Sequence, residues 1–241
     1  MALLEMKNVS FYDGLTQVIN NISLSIEKGS VTAFLGEAGG GKSTVLKLLA
    51  GITNATNGKV LYNDKDFSRM TEKENLDFRK KSAFMFQNSA LWANQSLYQN
   101  LELPLKIHYP NMPPEQVKDK IEDAAKMVEF YKPLTLRPAS LSAGEQKRIA
   151  FARALICEPE ILFLDEPTES LNETASELFI SILRDFCSRG NTLAYVSHDN
   201  YFINTFKNDK YYFANGTIVD KILLNDNLQN GYEDYGDYNE V

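Results

Sequence analysis

Three observations predict an α/β fold, with antiparallel strands at its N-terminus and a helical segment set into it. "SVTAFLG", Ser30 to Gly36, is a compact apolar run that stops on glycine, and "KSTVLKLLAG" follows it with helical apolar spacing. Between Gln87 and Glu158 the periodicity is that of helices. From Glu160 the alternation returns: "EILFLDEP" reads as a strand, "TASELFISILRDFCSRG" as an amphipathic helix, and "TLAYVSH" as another buried strand. A helical insert within an α/β core is the simplest arrangement that accommodates all three.

The elements can be justified in order. Residues 1–30 alternate apolar and polar positions in "LLEMKNVSF" and "INNISLSIEKG", and end at "DG" and "KG", which predicts short strands joined by turns. Pro113 and Pro114 open "EQVKDKIEDAAKMVEFY", where Val117, Ile121, Ala124 and Val128 fall on one helical face. Pro138 breaks the chain just before "LSAGEQKR", Leu141 to Arg148, where a polar, glycine-bearing turn leads into an apolar helix. The last stretch is acidic and carries Tyr232, Tyr235 and Tyr238 at every third position. It reads as a solvated tail, or alternatively as an arm laid on a partner. The expected division is a domain over 1–224, its helical subdomain at about 88–158, and a tail over 225–241.

Composition narrows the function. The 241 residues suffice for a sizeable core, and a net charge of −7 gives no support for general nucleic-acid binding, which needs a basic face. No run approaches the roughly 20 apolar residues of a bilayer crossing, and the N-terminus lacks a basic region followed by a long apolar one. A soluble, intracellular protein without direct membrane insertion is therefore expected. Cys157 and Cys187 lie far apart and only two histidines occur, which argues against a metal framework or a disulfide scaffold.

"GEAGGGKST" carries the chemistry. It fits G-x-x-x-x-G-K-[ST] from Gly36 to Ser43, with Thr44 following. Gly39, Gly40 and Gly41 leave successive N–H groups open to an anion, and a helix starting near Lys42 adds its positive end. Lys42 supplies a full charge to the β- and γ-phosphates, and the Ser43 hydroxyl suits Mg²⁺. An accidental match is expected in roughly one unrelated chain of this length in a hundred. Its position between a strand and a helix lowers that further, so the core is read as a phosphate-loop nucleoside triphosphatase.

"FLDEP" places Asp165 and Glu166 at the C-terminal tip of an apolar strand, where ligands of open α/β sheets bind. Asp165 suits Mg²⁺ through a water, and Glu166 can take a proton from a water aimed at the γ-phosphate. A lone acidic pair would be a solvated strand end; the upstream phosphate loop reverses that preference. His198, ending "TLAYVSH", can bond the γ-phosphate, and Gln87, closing "SAFMFQ", can bridge Mg²⁺ and the attacking water. The plain alternatives are a structural histidine and a loop hydrogen bond.

Taken together these residues resemble the ATP-binding-cassette ATPases. "GEAGGGKST" is similar to that family's phosphate loop, "FQ" to its Q-loop, "LSAGEQKR" to its signature, "ILFLDEP" to its acidic strand, "SLN" to its D-loop and "VSH" to its switch histidine. The resemblance implies ATP hydrolysis with Mg²⁺. It also implies a head-to-tail dimer, in which Ser142 and the N–H groups around Gly144 cap the ATP of a second copy. An N-capped helix with Ser142 as cap accounts for the same residues and leaves only Gly144 unexplained. The chain departs from the family pattern at Ala143 and Glu145, where Gly and often Gln stand, and at Asn172, where Asp is usual. Tyr12 in "FYDG" is similar in placement to the aromatic that stacks on adenine, with Phe11 beside it as a core candidate.

The resemblance further implies the energy subunit of a bacterial transporter, cytoplasmic and peripheral at the inner face of the cell membrane. It would push on a separate permease through Leu91, Trp92 and Tyr98; subdomain core is the competing reading of those groups. "FQNSALW" and "SLYQNLELPL" are most similar to ATPases of the Mla/MCE phospholipid-trafficking type. Lipoprotein-releasing or macrolide-export ATPases, methionine-type importers and a soluble ATPase of the iron–sulfur cluster assembly type are the alternatives.

Overall fold

A computed structural model describes residues 2–223, so the acidic tyrosine-bearing tail lies outside the described residues. Strands β1 (Ala2–Asp13) and β2 (Thr16–Glu27) pair antiparallel as a hairpin. Each is 12 residues long, where the alternation predicts shorter pieces. The interruptions are bulges, not strand ends: the register shifts near Asn8 and Asn21, and both asparagines take the left-handed conformation, at φ 50° and 48°. Asparagine tolerates that region, so the chain kinks and continues pairing.

Strand β3 (Val31–Gly36) and helix α1 (Lys42–Leu49) follow as expected. The stretch 52–81, silent in the sequence reading, supplies β4 (Asn57–Tyr62), β5 (Lys65–Asp66) and α2 (Glu72–Lys81). The first four-stranded sheet runs β2-β1-β4-β5. Strand β6 (Ser82–Met85) then leads into the helical segment: α3 (Leu97–His108), α4 (Pro114–Met127) and α5 (Ala143–Leu155). On α4 the anticipated face turns inward, with Ile121 and Ala124 buried and Val128 buried at its end. The core resumes with β7 (Ile161–Asp165), α6 (Glu173–Ser188) and β8 (Thr192–Val196). The sequence reading did not anticipate α7 (Asn200–Thr205), β9 (Asp209–Ala214) and β10 (Thr217–Ile222).

The second sheet has the order β10-β9-β3-β8-β7-β6, parallel from β9 to β6, with β10 antiparallel at its edge. All residues of β7 and β8 are buried. Their side chains divide between two cores. Leu162, Leu164, Leu193 and Tyr195 pack with α3, α5 and α6 residues such as Leu101, Phe151 and Phe179. Ile161, Phe163, Ala194 and Val196 pack with α1 and the antiparallel sheet. A strand covered on both faces shows no period in sequence, which is why these runs read as uniformly apolar. The parallel arrangement brings the C-terminal ends of β3, β6, β7 and β8 to one edge, where Gly36, Gln87, Asp165 and His198 lie at or just beyond them.

β9 also explains Gly36. Its φ is 118°, and a Cβ there would lie 2.0 Å from the carbonyl oxygen of Phe213 on β9. The glycine is thus required by a neighbouring backbone as well as by the turn. Gly36→Ala is expected to destabilise the protein by about 3 kcal/mol, from strain plus the strand displacement it forces. Chemical denaturation of the full chain measures this; an unchanged midpoint would refute the close-approach argument.

Candidate active site

Helix α1 begins differently from α2, α3, α5, α6 and α7, whose first turns are capped by a side chain. Its N-cap is Gly41, left-handed at φ 96°, with no side-chain cap, so first-turn N–H groups remain open to a ligand. A Cβ on Gly41 would come within 2.5 Å of Ile19 Cδ1, so the hairpin presses on the loop from outside. Lys42 is only 5 % exposed; its Nζ donates to the carbonyls of Gly36 at 2.8 Å and Glu37 at 2.6 Å. Ser43 Oγ donates to Asp165 Oδ1 at 2.8 Å, joining the loop to the end of β7. Gly41, Lys42 and Ser43 border a cavity of about 590 Å³ whose wall also includes Gln87, Glu166, Glu169 and His198.

The carboxylates are shaped by burial. Burial raises Asp165, while the Ser43 hydrogen bond opposes the shift. Burial also raises Glu166, and the His198 side chain and amide oppose it. His198 N donates to Glu166 Oε2 at 3.2 Å, and His198 Nε2 lies 3.5 Å from Oε1. Lys42 is lowered by burial, with Glu166, Asp165 and Glu37 acting the other way. For a raised carboxyl, the folded state binds more protons than the unfolded one. The stability it contributes is present below the unfolded pKa and lost as pH rises through the folded value. The acidic pair is therefore less favourable to the fold at neutral pH than at acid pH.

The structure brings Gly36, Gly39, Gly40, Gly41, Lys42, Ser43, Thr44, Asp165, Glu166, His198 and Gln87 to this one edge. Gln87 Nε2 lies 3.4 Å from Glu169 Oε1, a partner sequence reasoning missed. Tyr12, 39 % exposed, is not on the cavity wall; Val18 of β2 provides an apolar wall there. Thr168 and Asp199 also line the cavity and bond each other at 3.0 Å. Each follows a recognised motif by one or two residues, the only signal that could have found them.

Ser142, Ala143, Gly144, Glu145 and Asn172 lie elsewhere, around a second cavity of about 820 Å³ with Tyr131 and Lys132. Ser142 and Glu145 form a reciprocal capping box: Glu145 N donates to Ser142 Oγ at 3.3 Å and Ser142 N to Glu145 Oε2 at 3.0 Å. Lys132 Nζ, 2.6 Å from Glu145 Oε1, lowers that carboxyl below its usual range, with the Ser142 amide assisting. Asn172 Oδ1 accepts from Ala175 N at 2.9 Å and caps α6. A Cβ on Gly144 would lie 3.0 Å from the Ser170 carbonyl. The glycine that the capped-helix reading left unexplained thus has a reason inside a single chain, and it no longer argues for a partner by itself.

The model of the family described as ABC transporter matches residues 19–169. The chain belongs to the ABC transporter family. This cassette is 29% identical over 219 residues to the methionine import ATP-binding protein MetN of Clostridioides difficile, covering 90% of this chain and 68% of that protein. It is 28% identical over 218 residues to the intermembrane phospholipid transport system ATP-binding protein MlaF of Haemophilus influenzae, covering 90% and 82%. Other relatives are named for import of Fe(3+) ions and of sn-glycerol-3-phosphate. Among solved structures, the dimeric post-hydrolysis ATP-binding cassette MJ0796, bound to ADP and Pi, superposes with a TM-score of 0.84 at 27% identity, covering 91% of this chain and 97% of that one. The cassette is an ATPase that uses Mg²⁺, and the α/β architecture expected from its sequence is the architecture of that relative. No helix among the described residues is long and apolar enough to cross a membrane.

Proposed function

We propose that two copies of this cassette enclose two ATP molecules and drive a separate membrane permease whose cargo is phospholipid. The observation that carries the ATP chemistry is the Ser43–Asp165 hydrogen bond at the cavity that Glu166 also lines. Lys42 and the loop N–H groups hold the β- and γ-phosphates, Glu166 takes the proton of the attacking water, and His198 orients it. Ser43 and Gln87, with Asp165 through a water, would hold Mg²⁺, which would neutralise charge on the phosphate oxygens. Their oxygen donors fit a hard cation. Val18 forms the apolar wall beside the phosphate loop, and Tyr12, exposed on the same hairpin but off that wall, would stack on an adenine that extends beyond the cavity.

The head-to-tail pairing is supported by the division of labour within one chain. The phosphate loop and the "LSAGE" turn line different cavities, and the loop after β7 contributes Glu166 to one and Asn172 to the other. A second copy is what brings Ser142 and Gly144 to the nucleotide. In that encounter the Ser142 hydroxyl exchanges its 3.2 Å contact with Glu145 Oε2 for a phosphate oxygen.

For the permease, the 88–158 arm divides the three candidate residues. Leu91 and Tyr98 are partly buried against the core, whereas Trp92 is 56 % exposed. The loop carrying it is braced: buried Asn100 accepts from Trp92 N at 2.8 Å, and Arg153 donates to the carbonyls of Ser89 and Ala90, both at 2.9 Å. A large exposed aromatic on a braced loop is suited to pushing on a partner. The phospholipid reading is supported by similarity to MlaF across most of both chains; methionine is the second cargo, favoured by the likeness to MetN. Trp92→Ala is expected to abolish transfer of labelled phospholipid in vesicles containing the permease while the ATPase of the isolated cassette persists. Intact transfer would remove Trp92 from the contact, and permease-dependent methionine uptake without lipid transfer would replace the cargo.

A further inference from the structure

Lys147, near the start of α5, is 3% exposed although it is a lysine. A buried ammonium is unfavourable unless its donors are satisfied. It reaches the loop after β7 twice: Nζ donates to the main-chain oxygen of Glu166 at 2.7 Å and faces Glu169 Oε2 at 3.9 Å. Glu169 is also the carboxylate that Gln87 meets at 3.4 Å. One side chain thus ties the "LSAGE" helix to the peptide of the candidate base, and its counter-ion touches the Q-loop glutamine.

Glu166 needs such support. Its φ is 49°, a conformation in which a side chain is strained and which persists only when neighbours over-determine it. Its N–H donates to Val196 O at 3.0 Å, anchoring it to β8, and its carboxylate accepts the His198 amide. Its carbonyl is held by Lys147. Of these three restraints, only the last comes from α5, the helix whose first turn forms the other cavity.

We infer that Lys147 is a positioning residue for hydrolysis: by gripping the Glu166 carbonyl it fixes where the Glu166 carboxylate points, and with Glu169 it links that direction to Gln87 and the start of α5. This rests on the reading of Glu166 as the base. Displacement of a general base by about 1 Å lowers turnover by up to roughly a hundredfold without weakening substrate binding in proportion.

The test measures Mg·ATP hydrolysis by the full-length chain. Lys147→Met should lower kcat by about tenfold or more with KM for ATP within roughly threefold, and Lys147→Arg, which keeps a charged donor, should restore much of the loss. Combining Lys147→Met with Glu166→Gln should lose no more than Glu166→Gln alone, because both act through one carboxylate. An unchanged kcat, equal losses in kcat and affinity, no recovery by arginine, or full additivity would each overturn the inference. Should Lys147→Met fail to fold, Glu169→Gln, at a carboxylate half exposed to solvent, takes its place: kcat should fall about threefold at constant KM, and wild-type kcat would refute the link. Glu166→Gln alone separates the two ideas: if it hydrolyses ATP normally, the base assignment fails whatever Lys147 does.

Discussion

Glu166→Gln is expected to lower ATP turnover by about 10²–10⁴-fold while ATP binding persists, the range for loss of a positioned general base. Gln keeps the size of the side chain and an acceptor for the His198 amide, so the strained backbone after β7 has the same local support. What it removes is the basic carboxylate beside the phosphate loop. Saturated with Mg·ATP, the variant is expected to accumulate as a dimer, since the nucleotide bridging two copies is no longer consumed; light scattering after gel filtration measures this. Turnover near the wild-type rate would exclude Glu166 as base, and a strictly monomeric variant in the presence of the permease would exclude the shared nucleotide. The unsubstituted enzyme should also lose kcat/KM, which reports the nucleotide-free protein, on its acid side at a pH above that of a solvated glutamate. Burial raises the Glu166 pKa, and the base works only when ionised, so activity falls as pH drops through that raised value.

Lys42→Met is expected to weaken ATP binding by roughly tenfold or more, the equivalent of one charge-assisted hydrogen bond of about 1.5–3 kcal/mol. Methionine retains most of the buried stem, so packing changes little. The ammonium has two successive tasks. Without nucleotide it satisfies the carbonyls of Gly36 and Glu37 and offsets a cluster of carboxylates. With nucleotide, in the proposed function, it turns to the phosphates. Titration calorimetry with a non-hydrolysable ATP analogue reads the second task, and a melting curve without nucleotide reads the first. Affinity within twofold of wild type would show that the backbone N–H groups alone hold the triphosphate.

Much of the site was legible because its parts are contiguous. Gly36 to Ser43 is one loop between a strand and a helix, and Asp165–Glu166 ends an apolar run, so local chemistry and position along the chain agree. Glu169 and Lys147 were not legible. Both look like ordinary surface charges in sequence, and only packing of α5 against the loop after β7 buries the lysine and turns it toward Glu166. The trio Leu91, Trp92 and Tyr98 shows the same limit: three apolar residues with one sequence character are divided by Asn100 and Arg153 into a packed pair and an exposed tryptophan.

Gly144 shows it from the other side. Under the family resemblance its smallness pointed outward, to a nucleotide on a second copy; in the fold a Cβ there would lie 3.0 Å from the Ser170 carbonyl, a tight approach that favours glycine within a single chain. The sequence by itself determined the α/β class, the phosphate loop and the family motifs, because helix and strand periods and short-range backbone chemistry are local properties of the chain. Tertiary structure alone decided that β9 presses on Gly36, that bulges join short apolar pieces into two long strands, and that a buried lysine grips the peptide of Glu166. Those are contacts between segments far apart in the chain, where burial, and with it the strength of a charge or a clash, depends on which surfaces meet.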